Sequence, residues 1–270
     1  MRRGGWGGLA LVSVLALVMV APFLYMVATS LMDECELLQW PPRFWPARLH
    51  AENYAAALTV LPFARFFLNS AIFALCVVVG QVLTSAAAAY AFARLRFPGR
   101  DRVFLTFLTA LMVPAIVLLI PRFLMIDAVG WVDTYPGLVS TELVSVWGIF
   151  LLRQFFLTLP RELEDAARLD GAGEWTIFWR VVLPLSRPAL ATLAVLAFAN
   201  QWRSFLWPLV ATRSMEMQVV EVGIARLHGL YATNGPYQMA VAVTATLPLL
   251  VVFLVAQRYF MRGIQVAALK

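Results

Sequence analysis

Lysine is all but missing from this chain: 20 of its 21 basic residues are Arg, and the one Lys is the last residue, Lys270. A phosphate-binding loop of the GxxxxGK[ST] type needs an internal Lys at the β/γ-phosphates. The chain therefore carries no such site, and a catalytic Schiff-base lysine is equally unsupported. Histidine is nearly as scarce. His50 and His228 lie far apart with no ligand-spaced companion, which argues against a zinc or haem site. Two cysteines, Cys35 and Cys76, do not make a disulfide framework, and Cys76 within an apolar run reads as a small buried hydrophobe. Charge is sparse as well. Only 13% of residues are charged and 62% are hydrophobic, whereas soluble domains hold about 25% charged residues. With a mean hydropathy of +0.80, the chain is not a soluble globular, disordered or fibrous protein. Its net charge of +6 points to cytoplasmic loops rather than to nucleic acid.

What is present is apolar sequence in long runs. A spanning helix needs about 20 mostly apolar residues, and six stretches qualify: Leu9–Leu31, Leu68–Phe92, Val103–Met125, Pro136–Phe156, Pro188–Val210 and Met239–Phe260. The first follows Arg2-Arg3 as a signal peptide would. Its apolar core is too long for one and no A-x-A site follows, so a retained signal-anchor helix is expected. The fourth is the weakest, because Glu142 and Gln154 lie in it or near its ends. With the N-terminus inside, segments 1–8, 93–102, 153–187 and 258–270 hold 14 Lys+Arg against six acids. The rest of the chain holds seven Arg against nine acids. Basic residues hold short loops in the cytoplasm, so six spans with both termini cytoplasmic are expected, an all-α membrane protein in one domain, 1–270.

Three segments then lie outside: 32–66, with Pro41, Pro42, Pro46, Trp40, Phe44, Trp45 and Tyr54; a short turn, 126–135, around Gly130-Trp131; and 211–238, a mixed loop with Gly229, Asn234, Gly235 and Pro236. Their aromatics read as interface anchors. Charged and polar groups at membrane depth face a cavity or a partner, so Asn69, Gln81, Glu142, Asn200, Gln201 and Arg203 are candidates for a translocation path. Asn69 and Glu142 lie near span ends, where contact with water is the plainer reading. Ser85 with Ala86–Ala89 gives a smooth face for tight helix packing. Kinks are expected between Val113-Pro114 and Ile120-Pro121.

The most informative stretch is the inside loop 159–188, LPRELEDAARLDGAGEWTIFWRVVLPLSRP. Pro160 suits a first helical turn, and Glu162, Glu164 and Asp165 complement the helix dipole. Arg161 with Asp165, and Glu164 with Arg168, are spaced as i,i+4 pairs on an exposed face. Asp170-Gly171 ends the helix. A second short helix, from Glu174 to Val182 with Trp175, Ile177, Phe178 and Trp179, is expected to stop at Pro184.

Here the chain resembles the membrane subunit of a binding-protein-dependent ABC importer, whose signature is EAA, three residues, Gly, nine residues, then I-x-L-P. Asp165-Ala166-Ala167, Gly171 and Val181-Val182-Leu183-Pro184 keep that spacing, with Asp for Glu and Val for Ile. The segments 133–135, 148–156, 188–193, 205–209 and 257–263 are similar to the carbohydrate-importer branch, in particular to the smaller six-span permease of the maltose and glycerol-3-phosphate type. The likeness runs from about Phe66 to the C-terminus, over a core of 66–259. After Trp202 that branch usually has Asn and an acid where Arg203 and Ser204 stand, and Ser140-Thr141-Glu142 replaces its Leu-Pro.

The resemblance implies a type I ABC importer permease fold in a bacterial inner membrane. The loop would be a coupling helix for a separate ATPase, carried by Glu164, Asp165, Ala166, Ala167, Asp170, Gly171, Ala172, Leu183 and Pro184, and the tail 258–270 would approach the same subunit. It implies a second permease subunit, two ATPase subunits, an extracytoplasmic solute-binding protein and a sugar-like substrate. This chain would hold no cofactor, ATP and Mg being used by the ATPase, and no metal or catalytic residue. The same architecture importing a polyol or a phosphodiester stays open. An intramembrane hydrolase or acyltransferase lacks a His-acid or metal constellation, and a secondary transporter would show repeated halves, which are not found.

Overall fold

The structure, a computed structural model, describes residues 5–41, 43–230 and 234–268; for 5, 6 and 258–268 the description is of the backbone alone. Arg2, Arg3, Pro42, Lys270 and the side chains of the 258–270 tail thus lie outside the described residues, and with them the terminal part of the charge argument. All regular structure among the described residues is helical. The main helices are α1 (Gly5–Ser30), α2 (Phe63–Arg94), α3 (Arg100–Thr109), α4 (Leu119–Ala128), α5 (Val146–Thr158), α6 (Glu162–Leu169), α7 (Glu174–Leu185), α8 (Arg187–Trp202), α9 (Val220–Leu230) and α10 (Gly235–Ala268).

The chain divides into two compact units, residues 1–65 with 222–248 and residues 66–221 with 249–270. In the first, α1 is apolar all round and exposed along its central residues, as a helix solvated by lipid would be. The segment after it is not a plain loop. Helices Glu34–Leu37 and Glu52–Val60 form in it, and the Asn53 amide caps the end of α1 by donating to the carbonyls of Ser30 at 3.0 Å and Met32 at 2.8 Å. The region expected as a mixed loop at 211–238 likewise contains α9.

In the second unit, three of the expected spans are not single helices. The third is α3 and α4, meeting at 94° across Val113-Pro114. Pro121 adds no kink, because it falls in the first turn of α4, where a missing N–H is harmless. The fifth ends at Trp202, and a separate helix covers Leu206–Ala211. The fourth breaks into Tyr135–Ser140 and α5. The 13 residues of α5 rise only about 20 Å, short of the roughly 30 Å hydrocarbon core. Among the described residues, three helices are long and apolar enough to cross a membrane, and up to five spans result if each bent pair counts as one.

The break after Ser140 is satisfied from α2. Gln81 donates to the Glu142 carbonyl at 2.8 Å and Thr84 to the Leu143 carbonyl at 2.8 Å. The Ser145 hydroxyl accepts from Gly148 N–H at 3.0 Å and caps α5. The small-residue face forms as expected. Ser85, Ala86 and Ala89 are buried, and a Cβ on Gly148 would come within 2.7 Å of the Ser85 hydroxyl. Cys76, by contrast, is exposed on α2 rather than buried.

Candidate functional site

The 159–188 loop folds as α6 and α7. The acidic side chains of Glu162, Glu164 and Asp165 fill the first turn of α6, at the positive end of its dipole. At the other end, Gly171 N–H donates to the Arg168 carbonyl at 3.0 Å and Ala172 N–H to the Ala167 carbonyl at 2.9 Å. This is a Schellman cap with Gly171 in the left-handed position, φ +83°. A Cβ there would meet nothing within 4 Å, so glycine is required by the backbone alone.

Two sequence expectations are corrected here. Glu164 does not sit on an exposed face. It is 3% exposed, and its Oε1 lies 2.8 Å from Arg94 Nε at the end of α2. The two atoms are in contact as charges but out of line as donor and acceptor, and neither finds a hydrogen bond. A terminal Arg94 nitrogen donates to the Leu159 carbonyl at 2.8 Å. Burial pushes the Glu164 carboxyl above the usual carboxylate range, against the pull of Arg94 and Arg168. Asp165, in turn, pairs with Arg168 at 2.8 Å rather than with Arg161. Arg168 also reaches Glu174 at 3.0 Å, and Tyr90 of α2 donates to the other Glu174 oxygen at 2.6 Å.

Pro184 does not end the second helix. A π-helical turn, Phe178–Val182, widens α7, which continues through Leu185 and then bends by 77° into α8. Ile177, Phe178 and Val182 are buried with Tyr90, Leu152, Phe156 and Leu193. Ala167, Ala172 and Leu183 are half-buried against that cluster. The opposite side is bare: Ala166, Asp170, Gly171 and Pro184 are exposed, as are Leu169 (90%) and Trp175 (70%). The loop is therefore rooted in α2, α5 and α8 on one side and presents an apolar and acidic surface on the other.

A second polar cluster lies in the same unit. Glu142 is paired with Arg122 and accepts from Gln201 at 3.3 Å. Glu142, Asn200, Gln201, Arg203 and Ser204 line a cavity of about 500 Å³, and Gln81, Glu142 and Asn200 share a second of about 570 Å³. Five of the six expected path residues are thus gathered. Asn69 is not among them. It is wholly buried, donating to the Glu216 and Gln218 carbonyls at 2.7 and 2.8 Å and accepting from the Tyr135 hydroxyl at 2.7 Å. Its work is to tie the outer segment to α2. Arg122, overlooked in the sequence, also donates to Thr141 at 2.8 Å and lies 4.1 Å over the Trp207 ring. A lone Arg and a lone Glu in neighbouring apolar runs were the available signal. Among the described residues no group of His, Cys, Asp or Glu is arranged to hold a metal ion.

Residues 81–266 match the family model described as binding-protein-dependent transport system inner membrane component. The arabinooligosaccharides transport system permease protein AraQ of Halalkalibacterium halodurans is 35% identical over 95% of this chain and 93% of its own length. The sn-glycerol-3-phosphate transport system permease protein UgpE of Brucella abortus is 33% identical over 94% of each chain. A solved chain of a bacterial ABC transporter involved in import of the acidic polysaccharide alginate superposes with a TM-score of 0.84 at 25% identity, over 96% of this chain and 99% of that one.

Proposed function

Because this chain belongs to the inner membrane components of binding-protein-dependent transport systems, we propose that it is the permease subunit of an ATP-driven importer of a sugar or sugar derivative in a bacterial inner membrane. It works with a second permease, two ATPases that use ATP and Mg, and an extracytoplasmic binding protein. The 1–270 chain acts as one transmembrane domain with six crossings, the third bent at Val113-Pro114 and the fourth broken after Ser140, and with both termini in the cytoplasm.

In this reading α6 is the coupling helix. Exposed Ala166 lets an ATPase surface approach closely and exposed Glu162 and Asp165 set its charge. Glu164, Ala167 and Ala172 hold the helix to its core, and Gly171 with Asp170 fixes the reversal. Leu183 and Pro184 carry the motion into α8. The observation that carries the reading is the two-sided loop: an exposed Leu169–Trp175 surface rooted through Ile177, Phe178, Val182 and the Arg94–Glu164 contact. Closure of the ATPases would then push on helices rather than on a free loop. Gln81, Glu142, Asn200, Gln201 and Arg203 flank the solute path.

Cross-linking tests this directly. Cysteine at Leu169, in a chain with Cys35 and Cys76 replaced, should join the ATPase in the assembled complex, whereas cysteine at Asn234 should not. A Gly173 cysteine should be shielded from a membrane-impermeant reagent in intact cells, and its ready labelling would overturn the orientation. A polyol phosphate is the second reading of the cargo, favoured by the 33% identical glycerol-3-phosphate permease.

A further inference from the structure

The turn that joins α2 to α3 carries more positive charge than its neighbours answer. Arg96, Arg100, Arg102 and Arg161 line a cavity of about 860 Å³ with Phe97, Pro98, Gly99 and Asp101. Asp101 is the single acid there, and it is taken by Arg100 at 3.0 Å and Arg153 at 3.6 Å. Arg100 holds the Asp101 carboxyl below the usual carboxylate range. The neighbouring cleft, which Arg96 and Arg161 also line, holds Glu164, Asp165 and Glu174, and these are in contact with Arg94 and Arg168 instead. Among the described residues, Arg96, Arg102 and Arg161 have no carboxylate within 4 Å. Three uncompensated guanidinium groups on one cavity repel one another, and their planar donors fit phosphate oxygens.

The cavity opens where the 32-residue α2 ends, a helix about 48 Å long and so longer than the hydrocarbon core. Directly beside the Arg residues, Phe97, Val103, Leu105 and Phe107 expose apolar side chains. Phosphate-binding groups flanked by bare apolar surface suit a ligand that is anionic at one end and hydrocarbon at the other. We infer that this cavity, lined by Arg96, Arg102 and Arg161, binds the phosphate headgroup of an anionic membrane lipid, with its acyl chains along Phe97, Val103 and Leu105. Arg161 starts α6, so the site adjoins that helix, but Arg96 and Arg102 lie outside the exposed Leu169–Trp175 surface, and the inference needs only that the chain lies in a membrane.

The full chain in nanodiscs of mixed phosphatidylglycerol and phosphatidylcholine, released for native mass spectrometry, tests it. Two or three Arg contacts, each a surface-scale attraction, should enrich phosphatidylglycerol about tenfold or more over its share of the disc. Arg96→Gln with Arg102→Gln should return the ratio to that of the disc. Arg102→Gln alone, at an exposed position where folding is not at risk, should lower it severalfold. Arg226→Gln, which removes a charge elsewhere, should leave it unchanged. Several results overturn the inference: no enrichment in the native chain, an equal loss in Arg226→Gln, or full displacement of lipid by millimolar inorganic phosphate, which would mark a free-phosphate site. Unchanged lipid binding with loss of the ATPase from the Arg96/Arg102 variant would mark a protein contact instead, and would overturn it too.

Discussion

The 159–173 loop and the break at 140–146 are both polar interruptions between apolar helices, yet they are built in opposite ways. In the loop, the groups that end and cap the helix are neighbours in sequence: Gly171 on Arg168, Ala172 on Ala167, Arg168 on Asp165. In the break, the satisfying groups come from α2: Gln81 reaches the Glu142 carbonyl 61 positions on, and Thr84 the Leu143 carbonyl 59 positions on. A local device can be moved as a unit, which suits a lever. A distant one holds two helices in register, which suits a frame.

The largest effect should come from the buried ion pair by which the loop leans on α2. Arg94→Met would leave buried Glu164 with Arg168 alone, at 3.7 Å, at a cost of up to about 3–5 kcal/mol for breaking one side of a buried pair. Removing both charges, with Glu164→Leu, should recover most of it. Denaturant unfolding in detergent would read both, and near-equal loss in single and double variants would contradict the pairing. In the break, Gln81→Leu or Thr84→Val should each cost about 1–3 kcal/mol by leaving a buried carbonyl bare, and would raise protease or exchange sensitivity around 140–146 more than around 162–172. Equal sensitivity in both would erase the contrast.

That contrast also sets what the sequence could tell. α6 was legible to within a residue or two because its signals, three acids and a terminal Gly, are read along the chain. The burial of Glu164 was not, since its partner stands at the end of α2. Composition alone predicts the fourth span whole, because Pro136–Phe156 is apolar enough. Composition does not say that Gln81 and Thr84 stand opposite to donate to the carbonyls of an unwound turn. The place of Asn69 is hidden for the same reason, its partners lying 147 and 149 positions away. Pro184 predicts a stop, but the π-helical turn at Phe178–Val182 leads the helix past it. The polar cavity was half legible: rare charges marked Glu142 and Arg203, but the Arg122 link needed the fold.

Smaller effects sharpen the comparison. Ser145→Ala removes a local cap from α5 and should cost about 1 kcal/mol, measurable as a lower unfolding midpoint; an unchanged midpoint would mean that the cap is idle. Glu164 supplies a pH signature. Its raised pKa means that the folded state holds this proton more tightly than the unfolded chain, so its contribution is fully present below the ordinary Glu value and is lost as pH rises through the folded value. Glu164→Gln should remove that decline from the pH profile of stability, and an unaltered profile would assign the decline elsewhere.

The central claim is that α6 is a lever seated in the ATPase. Binding-protein-stimulated ATP hydrolysis by the reconstituted complex, measured alongside ATPase retention for Gly171→Val and Asp165→Lys, tests it most directly. Gly171→Val forces a branched residue to φ +83° at a local cost of about 1–2 kcal/mol or more; it should keep the ATPase bound but lose stimulation. Asp165→Lys reverses an exposed charge in the first turn and should lose the ATPase itself. Both chains should still insert in the membrane. Full stimulation and full retention in both variants would contradict the account and leave the loop an ordinary solvated hairpin.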